Sequence, residues 1–325
     1  MVLRRRLMLA IAGAMVCAPA IAQTGGFRSS DVGSPDMPSV QGVAHMSDLM
    51  RERSGGRLFV ANLGASDQDS ESFTVAQVRT GTLDMARVSV SALHGTVPAT
   101  VIPTLPFLFT STEHRRRSLQ GTVGKELLGA LAAVDLVGLC FYDAGPRSIY
   151  TQAKAVRTPA DMKGLKIRIQ TSSAMTEIMQ ALGAQPVPIP FAQVRPRLAA
   201  GTIDAAENNL ISYLTSRHYE VAKIYSVTEH VAPPAIVIFS KRVWDRLSAE
   251  DQAIIRQAAR DSVSYHRKVF DEQEAGARAA LASAGIQFVS DVDKAAFAKV
   301  LAPLYPKLVT DPRHRALVER IQAGE

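Results

Sequence analysis

Cysteine is almost missing from this chain: only Cys17 and Cys140 occur in 325 residues. That excludes a disulfide framework, a four-cysteine zinc site and a dithiol redox pair. The familiar catalytic signatures are missing too. There is no G-x-S-x-G, no H-E-x-x-H and no G-x-G-x-x-G, and the seven histidines lie scattered without metal-ligand spacing. GTVGKELL imitates a phosphate loop but lacks its spacing and a Ser or Thr after Lys125. Aromatic residues make up only 6% and never interleave with a basic stripe, which argues against nucleic acid as a partner. Beyond the N-terminus no apolar run is long enough to span a bilayer, and no repeat or low-complexity linker divides the chain.

What is present begins with an export signal. Arg4, Arg5 and Arg6 form a basic start, Leu7 to Ala18 an apolar core, and Ala20-Ile21-Ala22 a small-x-small cleavage site. Residues 1–22 therefore read as a secretory signal peptide. Val16 is a poor residue before a lipidated cysteine, so Cys17 does not read as a lipoprotein anchor. The arginines also admit a twin-arginine route beside ordinary secretion. Cleavage leaves 34 basic against 30 acidic residues, a net of +4 that is ordinary for a solvated surface and mildly favours anionic ligands. It also leaves Cys140 alone, in the apolar setting LVGLCFY of a buried core thiol. With 47% apolar residues, the mature chain can bury a core and is long enough for two lobes.

The early chain alternates strands and helices. FRSS reads as a strand tail, Ser39 to Arg53 as a helix stopped by Gly55-Gly56, and RLFVANLGA as the next strand. After the loop SDQDSES come a helix, a turn at Gly81 and the strand LDMARVSV. Arg87 within that strand needs a partner or an opening to water: it either reaches a cleft or caps a structural carboxylate. His114 with Arg115, Arg116 and Arg117 reads as a solvated basic helix face. Later, YSVTEH and AIVIFS read as strands separated by Pro233-Pro234, and Trp244 as core. From Ser248, a good N-cap followed by Glu250 and Asp251, a helix runs to about Ala284 and ends at Gly285. Some ~35 residues would extend about 50 Å. GIQFVS supplies a late strand and the remainder a helical tail.

The densest signal lies between Asp161 and Asn209. LKIRIQ alternates as a strand; Met175, Ile178, Met179 and Leu182 share a helix face closed by Gly183. PVPIP is extended, AQVRPRLAA a short helix, and GTIDAAENN a turn and a second strand. Ligands in open α/β sheets lie beyond the carboxyl ends of strands, where Arg168 and Asn208 stand.

The series GLKIR, ALGA, PVPIPF and LAAGTIDAAEN, in that order and spacing, closely resembles the DctP-type solute-binding proteins of TRAP transporters, the extracytoplasmic receptors of ATP-independent uptake systems for organic acids. The resemblance covers nearly the whole mature chain and is strongest from Gln77 to Gly285. It implies an α/β, two-lobed periplasmic binding protein-like fold with a hinge and a long helix spanning both lobes: residues 23–144 with 233–272 in the first, 145–232 with 273–325 in the second. It implies that Arg168 pairs with a ligand carboxylate, that Asn208 bonds beside it, and that Arg147, in Gly145-Pro146-Arg147, is a second ligand-facing arginine. Glu71 best matches the acid after the family's L-G turn, against the alternative of a solvated loop acid. FRSSD, MARVS, STEH and KIRIQ resemble the branch that binds hexuronic acids, and there Gln170 would meet a sugar hydroxyl. The loop VGSPDMPSV lacks that branch's histidine and tyrosine, and Arg195-Pro196 replaces the family's Tyr-Thr.

The expected function is capture of an organic acid, a hexuronate such as glucuronate or galacturonate by first choice, and its delivery to TRAP membrane subunits from the periplasm. No cofactor, metal or nucleic acid is called for, and a monomer is expected. The alternatives are a receptor presenting its ligand to a sensor kinase and a secreted sugar-acid lyase or isomerase, which would need a general base that no histidine here supplies. The cleavage site predicts a mature N-terminus near Gln23. Intact-mass measurement of the exported protein checks it, and a retained, lipid-modified Cys17 would overturn it.

Overall fold

The computed structural model describes residues 25–64 and 70–325, so the expected signal peptide and most of the loop SDQDSES lie outside the described residues. The strands in chain order are β1 (Gly25–Ser30), β2 (Leu58–Asn62), β3 (Met85–Ser89), β4 (Leu136–Tyr142), β5 (Arg147–Thr151) and β6 (Lys166–Ile169). They continue with β7 (Gln185–Pro188), β8 (Ala205–Asn208), β9 (Ile224–Val231), β10 (Ala235–Ser240) and β11 (Gln287–Val289). They form two sheets, ordered β2-β1-β3-β10-β4 and β11-β9-β5-β8-β6-β7. Each sheet is the centre of one lobe of an α/β, two-lobed binding-protein fold.

The chain passes between the sheets twice in extended form, from β4 to β5 through 143–146 and from β9 to β10 through 232–234. Each passage delivers a strand into the interior of the receiving sheet. β10 lies antiparallel between β3 and β4, and β5 antiparallel between β8 and β9. The crossings are therefore tied into both sheets by ladder hydrogen bonds at either end.

Both faces of the first sheet are covered. On one, α1 (Pro38–Arg53) lays Val43, Met46 and Met50 against Phe27, Met85, Val237 and Phe239. On the other pack α2 (Glu71–Thr80), α3 (Thr112–Gln120) and α4 (Thr122–Ala130), through residues such as Val75, Val78, Leu119 and Leu127. In the second lobe, α5 (Ser173–Ala181) buries the predicted stripe Met175, Ile178, Met179 and Leu182. The long helix is Ala249–Ser283, 35 residues, started by Ser248 Oγ accepting from the Asp251 N–H and followed by Gly285 at φ 74°. At 1.5 Å per residue it is roughly 52 Å long. Ile255, Ala258, Ala259 and Val263 bury in the first lobe, Phe270, Ala277 and Leu281 in the second. Trp244 is buried, and Cys140 is a free, buried thiol that burial pushes up to about 12, an inert core residue. Among the described residues no helix is long and apolar enough to cross a membrane.

Two expectations are corrected. The tail was expected to stay with the second lobe, as residues 273–325. Phe297, Leu301 and Leu304 do so, but Val309, Leu317, Val318 and Ile321 enter the first lobe's core beside Val101, Ile102 and Leu119. The cause is the apolar face of the last helix (Pro312–Gln322), which docks on α4 and the Pro98–Thr104 turn. The basic run at His114 is not a solvated face. His114 and Arg115 are buried. His114 Nδ1 accepts from the Thr110 N–H, which leaves Nε2 to donate to the Ile321 carbonyl at 2.9 Å. Arg115 and Arg116 converge on Asp143 in the first crossing, Arg116 at 2.6 Å and Arg115 at 3.6 Å, and Arg267 of the long helix stands 3.9 Å from the same carboxylate. Arginines from two helices thus fasten the hinge.

Gly124 accounts for the loop that imitated a phosphate site. A Cβ there would lie 1.8 Å from the Leu119 carbonyl oxygen, at the tight joint between α3 and α4. Gly124→Ala should therefore destabilise the fold by about 2–3 kcal/mol, read as a lower midpoint in urea; an unchanged midpoint would show that the joint yields freely.

Four buried histidines set a pH dependence. Burial holds His94, His230 and His266 down to about 4 and His218 to about 3. The unfolded chain therefore binds protons that the folded chain refuses between about pH 6.5 and 4, so stability is full above 6.5 and falls as the pH drops. Each such group contributes up to ~1.4 kcal/mol per pH unit. Urea unfolding should lose at least ~2 kcal/mol between pH 6.5 and 5, above the range where most carboxylates titrate; a flat profile would contradict the burial of these rings.

Candidate functional site

The strand ends of both sheets face one another across a cavity between the lobes. On the measure by which one water needs about 10–15 Å³, its volume is about 100 Å³, room for several waters or one small polar molecule. The first lobe lines it with Glu71, Ser72, Arg87 and Ser89, the second with Arg147, Arg168, Gln170, Phe191 and Asn208. All six residues singled out from the sequence reach this one cavity.

Arg168 stands on β6, whose outward neighbours Ile167 and Ile169 are fully buried, and its side chain is only 3% exposed. Nε and Nη2 both donate to the Ile189 carbonyl at 3.1 Å, two of the five N–H bonds a guanidinium offers. The Phe191 ring lies against it, 5.7 Å from ring centre to the guanidinium carbon. Burial, chiefly, and the charge of Arg147 lower its pKa, yet an arginine stays protonated at any physiological pH. Among the described residues no carboxylate lies within 4 Å of it.

Arg147 opens β5 and is spoken for. Its Nε donates to Glu207 Oε2, its Nη2 to Glu207 Oε1 and the Glu207 carbonyl at 2.7 Å, and its Nη1 to Asn208 Oδ1 at 2.7 Å. Glu207, 0% exposed, is the acid that this buried cation requires. Asn208 Oδ1 also accepts from the Asn209 N–H at 2.9 Å, so only the amide NH2 of Asn208 is left to donate. Arg87 resolves toward the structural alternative without leaving the cavity wall: Nε donates to Asp31 Oδ2 at 2.7 Å and Nη2 to Oδ1, while Nη1 lies 3.6 Å from Glu71.

Glu71 is the first residue of α2, held there by the Ser70 cap, and is no solvated loop acid. One carboxylate oxygen accepts from the Ser89 N–H at 3.0 Å. The other accepts from Gln170 Nε2 at 3.2 Å, across the gap between lobes. Further bonds join the lobes beside it. Ser89 Oγ donates to Gln170 Oε1 at 3.4 Å and Ser72 Oγ to the Thr171 carbonyl at 3.4 Å. Ser172 Oγ, which caps α5 by accepting from the Met175 N–H, is hydrogen-bonded to His94 Nδ1 at 2.7 Å, and His94 Nε2 is hydrogen-bonded to Thr104 Oγ1. This is a closed arrangement of the lobes.

Sequence reasoning missed Glu207, Asp31, His94 and Ser172. Glu207 had a signal, since an acid within the buried strand AAEN demands a cation. Asp31 and Arg87 lie 56 positions apart, and nothing local links them. The assembled site can hold an anion at Arg168 and hydroxyl groups at Asn208, Gln170, Ser89 and Glu71.

Residues 29–311 match the family described as bacterial extracellular solute-binding protein, family 7 (DctP). The 2,3-diketo-L-gulonate-binding periplasmic protein YiaO of Escherichia coli is 32% identical over 255 residues, 78% of each chain. Among solved structures, a TRAP periplasmic solute-binding protein from a Bradyrhizobium species, in complex with galacturonate, is 45% identical with a TM-score of 0.90 and covers 92% of this chain and 100% of its own. One from Roseobacter denitrificans with bound β-D-glucuronate is 32% identical with a TM-score of 0.89, covering 93% of this chain and 100% of its own. These relatives are receptors of transport systems, not enzymes. With a family match over most of its length and near-complete structural overlap with such receptors, the chain belongs to the DctP family of TRAP transporter solute-binding proteins.

Proposed function

We propose that this receptor captures a hexuronate in the periplasm, galacturonate or glucuronate, by seating its carboxylate on Arg168, and releases it to TRAP membrane subunits. The observation that carries the reading is Arg168 itself: a buried guanidinium that no acid among the described residues meets, in a cavity whose other two arginines each have one. A planar carboxylate meets that need in a two-pronged pair that a closed, water-excluding cavity strengthens. Asn208, through its free NH2, bonds beside it, and Arg147 acts mainly by holding Asn208 and Glu207 in place. Gln170 and Glu71 face the sugar's hydroxyl groups. The uronates bound by similar receptors support this ligand class. The protein is exported through the segment 1–22, works as a monomer, and opens and closes about the crossings 143–146 and 232–234.

Titration calorimetry with galacturonate, glucuronate, C4-dicarboxylates and keto acids tests the ligand class, and a hexuronate should bind tightest. Arg168→Lys keeps the charge and loses the fork. It should cost on the order of 2–4 kcal/mol, roughly 30- to 700-fold in affinity at ~1.4 kcal/mol per decade. Arg168→Ala should be at least as severe. Binding by Arg168→Lys within about threefold of wild type, ~0.7 kcal/mol, would remove Arg168 as the anchor.

A further inference from the structure

The charges around the cavity balance in number but not in place. Arg147 is matched by Glu207 and Arg87 by Asp31, each through direct hydrogen bonds. That leaves one cation, Arg168, on the second lobe's wall and one further carboxylate, Glu71, on the first lobe's wall, 3.6 Å from an Arg87 already engaged by Asp31. Asp143, the other acid lining the cavity, is held by Arg116 at 2.6 Å with Arg115 and Arg267 close by. Among the described residues the cavity therefore offers one unmatched positive charge and, opposite it, one acid without a cation of its own.

We propose that Glu71 selects against a second carboxylate, restricting this receptor to monocarboxylates with a hydroxyl at the far end: uronates and aldonates are taken, aldarates refused. The inference rests on Arg168 holding the ligand's carboxylate, as proposed above. Each oxygen of Glu71 already accepts one hydrogen bond, from Ser89 and from Gln170, and retains a lone pair for another donor. A ligand hydroxyl supplies that donor. A carboxylate at the same place supplies none and meets like charge away from bulk water, where repulsion is weakly screened. No lysine or further arginine lines the described cavity to offset it.

Galactonate and galactarate are open-chain six-carbon acids that differ only in whether the far carbon is a CH2OH or a carboxylate, so they separate charge from shape. Calorimetry on the full mature protein should find galactarate at least 100-fold weaker than the tighter of galactonate and galacturonate. Glu71→Gln should narrow that ratio at least tenfold. The ratio is the readout because this substitution also alters the contact with Gln170, and a loss of closure weakens all ligands together. Ser172→Ala, which removes the interlobe bond to His94 outside the cavity and changes no charge, should lower the affinities in parallel and leave the ratio within threefold. Wild-type binding of galactarate within threefold of the reference ligand overturns the proposal. So does an unchanged ratio in Glu71→Gln, or a ratio shift in Ser172→Ala as large as that in Glu71→Gln. If none of the three acids binds while an unrelated ligand does, the hexuronate reading fails and takes this inference with it.

Discussion

A guanidinium taken out of water with no carboxylate among the described residues to meet it is the constraint on which the arrangement of this molecule depends. Arg168 is covered by Phe191 and the Ile189 carbonyl of its own lobe and lines the cavity that Glu71, Arg87 and Ser89 of the first lobe complete. With the lobes together it is only 3% exposed, and desolvating it without an anion disfavours that state. The bonds that cross between the lobes beside it are mostly long, 3.2–3.4 Å, and between neutral groups or a carboxylate and an amide. Such contacts contribute modestly. The closed state therefore gains most when an anion joins Arg168, and a ligand that does so has the differential affinity needed to shift the population toward closure.

The rest of the fold supplies that site with fixed walls. Strand ends from both sheets point into the cleft, and β5 and β10, each entered directly from a crossing, are held on both sides within their own sheets. Arg147 and Glu207 form a buried pair, and the same guanidinium holds Asn208 Oδ1, so that four of its five N–H groups are engaged within the second lobe. Asp143, gathered by arginines of α3 and the long helix, stiffens one crossing at the point where it meets the cavity.

Much of this was legible in the sequence because it is written locally. Alternation located LKIRIQ, the prolines before AIVIFS set off that strand, a serine cap and two acids began the long helix at its observed start, and glycines marked the ends of helices. Arg168 and Asn208 could be placed at strand ends by the same reasoning. What could not be read is the pairing of charges. Arg87 finds Asp31 and Arg147 finds Glu207 only after the sheets form, across 56 and 60 positions. The run from His114 to Arg117 looked solvated because its acid, Asp143, belongs to another element. Gly124 imitated a ligand loop because close packing and phosphate binding both demand a residue without a side chain.

The return of the last helix to the first lobe bears on how the molecule is built in time. β1, at residue 25, lies inside the first sheet, and Ile321, four residues from the end, is sealed into the same lobe's core. Nearly the entire chain must be present before that lobe is complete, and its closing contacts are among the most distant in sequence, a topology that slows folding. A growing or emerging chain can assemble the second sheet first, with β5 through β9 contiguous, but holds an unfinished first lobe until its final turn arrives. Loss of a dozen C-terminal residues, far from any ligand contact, would leave that core open.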